Sequence, residues 1–300
     1  MEKPFLLHMF SPRPQASPFD VNMAYDAGYT AVIPYCGVGL GDVANLTQDA
    51  IFSRGPKGVR RTGIFIGGRE IGLAADMLDA ARSAMVPPFE VSVFADPSGA
   101  FTTAAAMVAA VEKQLAAVHS TSFEGADVVV LGGTGPVGGA AAVLAANAGA
   151  RVFIASHSGI KGAQTVCEAI NARYQTAILP LDGSSAAALA PQLAKTKVVL
   201  ACAKAGVQVL SAAQMESATE LLVAADVNAV PPAGIEGVGV MDGGSPLKSG
   251  SGKAVGIGAL AIGNIKYQTQ RGLFEAMLQA EKPVYLDFRD AFATARKLAA

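Results

Sequence analysis

The run "VVVLGGTGPVGG" (residues 128–139) sets Gly133, Gly135 and Gly138 at G-x-G-x-x-G spacing directly after an apolar stretch of strand length. A small-residue segment of helical character, "VGGAAAVLAANAGA", follows. Strand, glycine turn and helix in that order make a corner suited to a diphosphate. The helix N-terminus offers unpaired amides and the positive end of its dipole, and glycines let the ligand approach the backbone. The expectation is a dinucleotide held by Gly133, Thr134, Gly135, Pro136, Val137 and Gly138, with Gly133 making the tight turn.

The end of the next strand chooses between dinucleotides. "RVFIASHSGIKG" brings Ser156, His157 and Ser158 to that place, with Lys161 close behind. An Asp or Glu there would bind ribose hydroxyls and repel a 2′-phosphate. None is present, and no arginine demands a phosphate, so NADP fits and NAD is not excluded. Both are read as dissociable co-substrates, with no metal. His157 has an alternative reading as an ordinary exposed loop residue. Ala203, closing "KVVLACA", and Asp226 and Asn228 in "ADVNAVPPAGIEG" are counted with the same site. The alternative for the last two is a rigid turn stiffened by Pro231 and Pro232.

Candidate substrate residues lie at other strand-to-helix connections. Asp20 stands in "SPFDVNMAYDAGY", and Asp96, Ser98 and Thr102 stand in "DPSGAFTTAAA". The plain alternative for Asp20 is a helix N-cap. Lys266 sits in the apolar, glycine-rich helix "GALAIGNIKYQ", where a buried lysine is costly unless it holds an anion or a carbonyl. No Ser-His-Asp or Cys-His signature is present. "GGREIG" (67–72) has the wrong glycine spacing and reads as a plain turn that could offer backbone N–H groups to a substrate. "SGSGKA" lacks the first glycine and the Ser or Thr of a P-loop.

The elements that must position these residues alternate in type. "TAVIPY", "GIFIG" and "FEVSVFAD" read as strands, and "EIGLAADMLDAARSAM" and "TTAAAMVAAVEKQLAAV" as helices, the second capped by Thr102 or Thr103. A second series, "DVVVLGG", "RVFIASH", "QTAILPLD", "KVVLACA" and "ELLVAADV", follows with helices between most members. Strands joined by helical crossovers predict parallel sheets covered on both faces, an α/β fold. The polar patch at 119–127 is the expected boundary. It separates an N-terminal αβα substrate domain (1–122) from a doubly wound dinucleotide domain of Rossmann type (123–266). The helical tail 267–300 is expected to return to the first. The stretch "PPAGIEGVGVMDGGSPLKSGSGK" is poor in regular pattern and reads as a long loop.

Composition narrows the class. The 300 residues are 51% hydrophobic and 16% charged, with a net charge of −1. That excludes disorder and offers no field for nucleic acid or an anionic membrane. The lean surface charge predicts a homo-oligomer. Three scattered cysteines and three scattered histidines form no metal spacing, and the odd cysteine count predicts a reducing cytoplasm. No apolar run approaches the roughly 20 residues of a membrane span.

Taken together, "GTGPVG", "ADVNAVPPAGIEG", "GIGALAIGNIK" and "DPSGAFTTAAA" resemble the bacterial methylene-tetrahydromethanopterin dehydrogenases of one-carbon metabolism. The likeness runs from "SPFDV" to the last helix. It implies a substrate domain and a Rossmann domain with the active cleft between them. It also implies oxidation of a methylene group bridging two nitrogens of a tetrahydromethanopterin-type carrier, within formaldehyde oxidation. Lys266 matches the family's pterin-contacting lysine and Asp20 a cleft carboxylate. Where a strictly NADP-using branch has an arginine after the second cofactor strand, "SHSGIK" resembles the branch that accepts both dinucleotides. Methylene-tetrahydrofolate dehydrogenase is the rival enzyme, but its Tyr-x-x-x-Lys pair is missing: Tyr267 is followed by Arg271. The lysine–aspartate pair of a shikimate-type dehydrogenase has no clear counterpart in the N-terminal half, and a non-catalytic dinucleotide sensor would need no special residue at 266.

Overall fold

The computed structural model describes residues 3–300. The N-terminal part runs β1 (Leu6–Ser11), α1 (Pro18–Asp26), β2 (Ala31–Cys36), α2 (Val43–Phe52), α3 (Pro56–Val59) and β3 (Thr62–Ile66). It continues through α4 (Ile71–Ser83), β4 (Ser92–Ala95) and α5 (Ala100–His119). The middle part is β5 (Asp127–Leu131), α6 (Pro136–Asn147), β6 (Arg151–Ser156), α7 (Ile160–Tyr174), β7 (Leu179–Asp182), α8 (Ala186–Leu193) and β8 (Val198–Ala201). Then come α9 (Ala212–Glu216), β9 (Val223–Asp226), β10 (Gly243–Pro246), β11 (Val255–Ile257), α10 (Ala259–Gln279), β12 (Tyr285–Leu286) and α11 (Phe288–Ala299).

The strands form two sheets. One has the order β12-β4-β3-β1-β2, with every neighbouring pair parallel. The other has the order β10-β11-β9-β8-β5-β6-β7, parallel except for the β10–β11 edge pair. Numbered from β5, its six parallel strands follow the 3-2-1-4-5-6 order of doubly wound dinucleotide-binding sheets. The α/β class with parallel, helix-covered sheets is therefore what the chain adopts.

Two compact units contain these sheets: Met1–Thr102 with Tyr267–Thr294, and Thr103–Lys266 with Ala295–Ala300. The unit boundary lies at the start of α5, where the sequence placed it after that helix, at 122. Interactions along α5 account for the difference. Gln114 Nε2 donates to the Gly243 carbonyl at 2.9 Å, Arg296 pairs with Glu112 at 2.6 Å, and a ring nitrogen of His119 lies 3.1 Å from the Leu222 carbonyl. All of those partners belong to the second unit.

In the first unit the core is aromatic. Phe65 of β3, Phe94 of β4 and Phe274 of α10 are fully buried, with ring centroids 5.3–5.4 Å apart. Edge and tilted contacts of this kind add to the apolar area they bury, and they dock the C-terminal half of α10 on the first sheet. In the second unit, β5 and β8 are wholly buried, as strands covered on both faces must be.

Some elements depart from their sequence patterns. Neither β1 nor the β10–β11 pair stands out as a regular run: "LLHMFS" carries His8, and "GGSP" is half glycine. "FEVSVFAD" is extended only over Ser92–Ala95, because Phe89 is taken up in a bridge with Val86 behind Pro87 and Pro88. The apolar "AVGIGALAIGNI" splits into β11 and the start of α10. Among the described residues, no helix is long and apolar enough to cross a membrane.

Candidate functional site

The glycine corner forms at the carboxyl ends of β5 and β8. From β5 the chain winds out through β6 to β7, then returns through α8 to β8 on the other side of β5. Such a reversal leaves a crevice at the strand ends, the usual ligand position in an open parallel sheet. Gly132, not Gly133, makes the tight turn. Its φ is +79°, and a Cβ there would stand 2.6 Å from the nitrogen of Ala203. Gly133 packs against Ile154. Gly138 lets α6 close on the turn, for a Cβ would meet the Gly132 carbonyl oxygen at 2.6 Å. Gly135 is the extended N-cap of α6 and brings no side chain to the first-turn amides, and Pro136 opens the helix. These features fit a diphosphate: a cradle that a Cβ would fill, facing a helix N-terminus.

At the end of β6 the Ser156 and Ser158 hydroxyls lie 2.8 Å apart, and Ser158 N–H donates to Ser156 Oγ at 3.2 Å. Ser156 is buried, whereas His157, Ser158 and Lys161 are exposed. Gly159, with φ +89°, turns the chain into α7 and adds no capping side chain. The pair of hydroxyls, the open helix start and Lys161 thus lie together, with no carboxylate among residues 156–161.

Asp226 and Asn228, expected at the ligand, make hydrogen bonds to the backbone around them. Asp226 is 2% exposed and accepts hydrogen bonds from the amides of Asn228 (2.9 Å), Gly234 (2.7 Å) and Ile235 (3.1 Å). Burial pushes its carboxyl above the ordinary value against the pull of those three amides. Asn228 accepts from Gly206 and Val230 and donates to the Pro232 carbonyl. These bonds hold the loop after β9, and the one from Gly206 joins it to the chain after β8, as the rigid-turn reading of the sequence would have it.

The first unit has its own reversal. From β1 the chain leads to β2 on one side, and from β3 it leads to β4 on the other. A cavity of about 180 Å³ opens at this point. Ser11, Arg13, Gln15 and Ser17 from the β1–α1 connection line it, with Gly67 and Gly68 after β3, Ser98 after β4, and Asp20. The "GG" of "GGREIG" thus lines this cavity. A larger recess of about 580 Å³ in the second unit is lined by His119, Lys197 and Lys253, among others. It lies at the amino ends of β8, β9 and β11, opposite the glycine corner.

Of the three residues expected to bind substrate after β4, only Ser98 lines this cavity. Its strained φ of +54° accompanies a 2.6 Å hydrogen bond from its hydroxyl to the Gly68 carbonyl. Asp96 and Thr102 are fully buried. The Asp96 carboxylate accepts from the amides of Phe101 and Thr102 and, at 2.6 Å, from the Thr102 hydroxyl. Asp96 therefore caps α5, the role the sequence reading gave to Thr102 or Thr103, which instead lie inside the first turn.

Asp20 lies within α1. Ser17 is the N-cap, its hydroxyl accepting from the Asp20 amide. The Asp20 side chain is 3% exposed, and its Oδ1 accepts from Gln270 Nε2 at 2.8 Å. Gln270 follows Lys266 by four residues on α10, and Phe274 follows by four more, so the three share one face of that helix. Lys266 is half-buried. Gly132, Gln270 and the residues of the β1–α1 connection were not singled out from the sequence. Only the four-residue spacing from Lys266 could have pointed to Gln270.

Comparison with known proteins agrees with this geometry. Residues 18–98 match the family model of the N-terminal part of methylene-tetrahydromethanopterin dehydrogenase. The NAD(P)-dependent methylenetetrahydromethanopterin dehydrogenase of Methylorubrum extorquens is 49% identical over 98% of this chain and 98% of its own. The bifunctional protein MdtA of the same organism is 31% identical over 98% and 99%. Among solved structures, quinate dehydrogenase from Corynebacterium glutamicum in complex with NAD covers 97% of this chain and 98% of its own, with a TM-score of 0.55 at 12% identity. Shikimate 5-dehydrogenase from Listeria monocytogenes covers 98% and 96%, with a TM-score of 0.54 at 14% identity. These two share the fold. Set beside the nearly full-length 49% identity, the glycine corner and the N-terminal match lead to one conclusion: the chain belongs to the family of NAD(P)-dependent methylenetetrahydromethanopterin dehydrogenases.

Proposed function

We propose that this protein oxidises methylene-tetrahydromethanopterin to methenyl-tetrahydromethanopterin by direct hydride transfer to NAD(P)+. The observation that carries the reading is the 49% identity, over 98% of both chains, to a dehydrogenase of that name. The second unit is the dinucleotide domain in this reading, and the first is the pterin domain, its cavity at the β1/β3 reversal receiving the carrier. Lys266 and Asp20 serve the pterin. The Ser156–Ser158 pair with Lys161 receives either a ribose hydroxyl or a 2′-phosphate.

The chemistry suits a site without an acid–base pair. The methylene carbon lies between two nitrogens whose lone pairs stabilise the cation left behind, so no proton needs to move. The dinucleotide supplies the hydride acceptor. The chain's part is positioning in a site closed to water, which lowers the barrier by fixing the reacting atoms in contact. The negative charge of Asp20 favours the developing methenyl cation. Lys266 donates to the carbonyl side of the pterin.

The reading extends to cytoplasmic location and self-association. The odd number of cysteines, Cys36, Cys167 and Cys202, suits a reducing compartment. Met241, Phe52 and Val230 are each more than half exposed, apolar side chains of the kind that association covers. A substrate panel tests the function. Methylene-tetrahydromethanopterin and methylene-tetrahydrofolate are each supplied with NAD+ and NADP+, and reduction is followed at 340 nm. Turnover with the first carrier and both dinucleotides is expected. Dinucleotide binding without reduction by either carrier would overturn the reading in favour of a sensor.

A further inference from the structure

We propose that Gln270 is the positioning residue that fixes the Asp20 carboxylate in the substrate cavity of the first unit. The inference rests on the function proposed above and concerns how its cleft carboxylate is held.

Asp20 is 3% exposed and yet lines the cavity. A carboxylate so far removed from water needs hydrogen-bond donors. Gln270 supplies one from the far end of the sequence, at 2.8 Å, from a side chain that is itself fully buried. A carboxylate only accepts, so the amide must present its NH2 group, whichever way the ends of the side chain are assigned. The donor is neutral. It satisfies one oxygen and fixes the side-chain rotamer without cancelling the negative charge, as an arginine in its place would.

The holding helix is itself held. One turn beyond Gln270, Phe274 is locked between Phe65 and Phe94, with centroids 5.3 Å from each. The stretch of α10 that sets the Asp20 carboxylate is thus fixed in the aromatic core of the first unit, and a small roll of that stretch would displace the carboxylate. Such support is what a reaction driven by placement, not proton transfer, requires.

The test uses Gln270→Met, which keeps length but cannot donate, and Gln270→Glu, which keeps shape but sets carboxyl against carboxyl. Each is made in the wild-type and Asp20→Ala backgrounds, and melting temperature is recorded for all. In the wild-type background, Gln270→Met is expected to lower kcat with the methylene carrier about tenfold, with the KM for NADP+ unchanged. Gln270→Glu should lower it further. In the Asp20→Ala background neither substitution should cost more, because the group they act through is gone. A folded Gln270→Met enzyme with wild-type kcat would overturn the assignment. So would losses that simply add to that of Asp20→Ala, as a general packing role would give. If Gln270→Met does not fold, the Gln270→Glu cycle decides alone. Absence of turnover in the wild-type protein would strike the proposed function instead, so the two failures are distinct.

Discussion

Gly132 and Ala203 approach so closely that a Cβ on the glycine would fall 2.6 Å from the alanine's backbone nitrogen. The contact packs the turn after β5 directly against the chain leaving β8. Gly132→Ala meets both this clash and the penalty of a φ of +79°. The expected result is a raised KM for either dinucleotide by about tenfold or more and a fall in stability of about 2 kcal/mol, read by steady-state kinetics and thermal melting. A variant with unchanged dinucleotide KM would mean that this turn does not hold the diphosphate.

Ser158 offers a hydroxyl where NAD-restricted sites offer an acid. Ser158→Asp should repel a 2′-phosphate while still bonding ribose hydroxyls. The expected outcome is a fall in kcat/KM for NADP+ of about a hundredfold, with that for NAD+ held within about threefold. Parallel loss with both would remove Ser158 from the specificity site.

Lys266→Ala should separate the two ligands. We expect kcat/KM for the methylene carrier to fall about a hundredfold, while the Kd of NADP+ measured by titration moves little. Equal weakening of both ligands would contradict a role on the pterin.

Asp226 ties the loop after β9 through three backbone amides. Asp226→Ala leaves those amides buried without an acceptor, and the expected destabilisation is about 2–4 kcal/mol by denaturant unfolding. A loss of activity without any loss of stability would assign it to ligand binding instead.

Asp127 provides a pH-dependent term. Burial opposes its ionisation, but hydrogen bonds from Arg151 and Gln192, with the charges of Arg151 and Lys195, prevail and hold its carboxyl below the ordinary 3.8. A depressed carboxyl stabilises the folded state above its unfolded pKa, and the contribution is lost as pH falls through the folded value. Arg151→Met should therefore lower the melting temperature at pH 7, and the gap should close as pH falls below about 4. A gap that is constant with pH would deny the pair its electrostatic part.

Much of the second unit was legible because its signals are local. Five of its strands are apolar runs bounded by turns, and the strand–glycine–helix order survives reading without any tertiary information. The roles inside the corner were less legible. Gly132 and Gly133 are the same residue type side by side, and only the fold puts Ala203 against one and Ile154 against the other. Asp96, Asp226 and Asn228 looked like ligand groups because they follow strands. That position also suits a cap or a loop tie, and the hydrogen-bond partners that fill such a role, from two to 22 residues away, are set by the fold.

The sequence by itself determined the α/β class, the dinucleotide corner and the family, since each is written in residues adjacent along the chain. Tertiary structure alone decided the place of β1 between β3 and β2, the cavity at its end and the bond from Gln270 to Asp20. The reason is physical. Parallel strands are ordered by crossovers rather than by neighbours in sequence. A buried carboxylate must also find its donor wherever packing brings one, here from a helix 250 residues downstream.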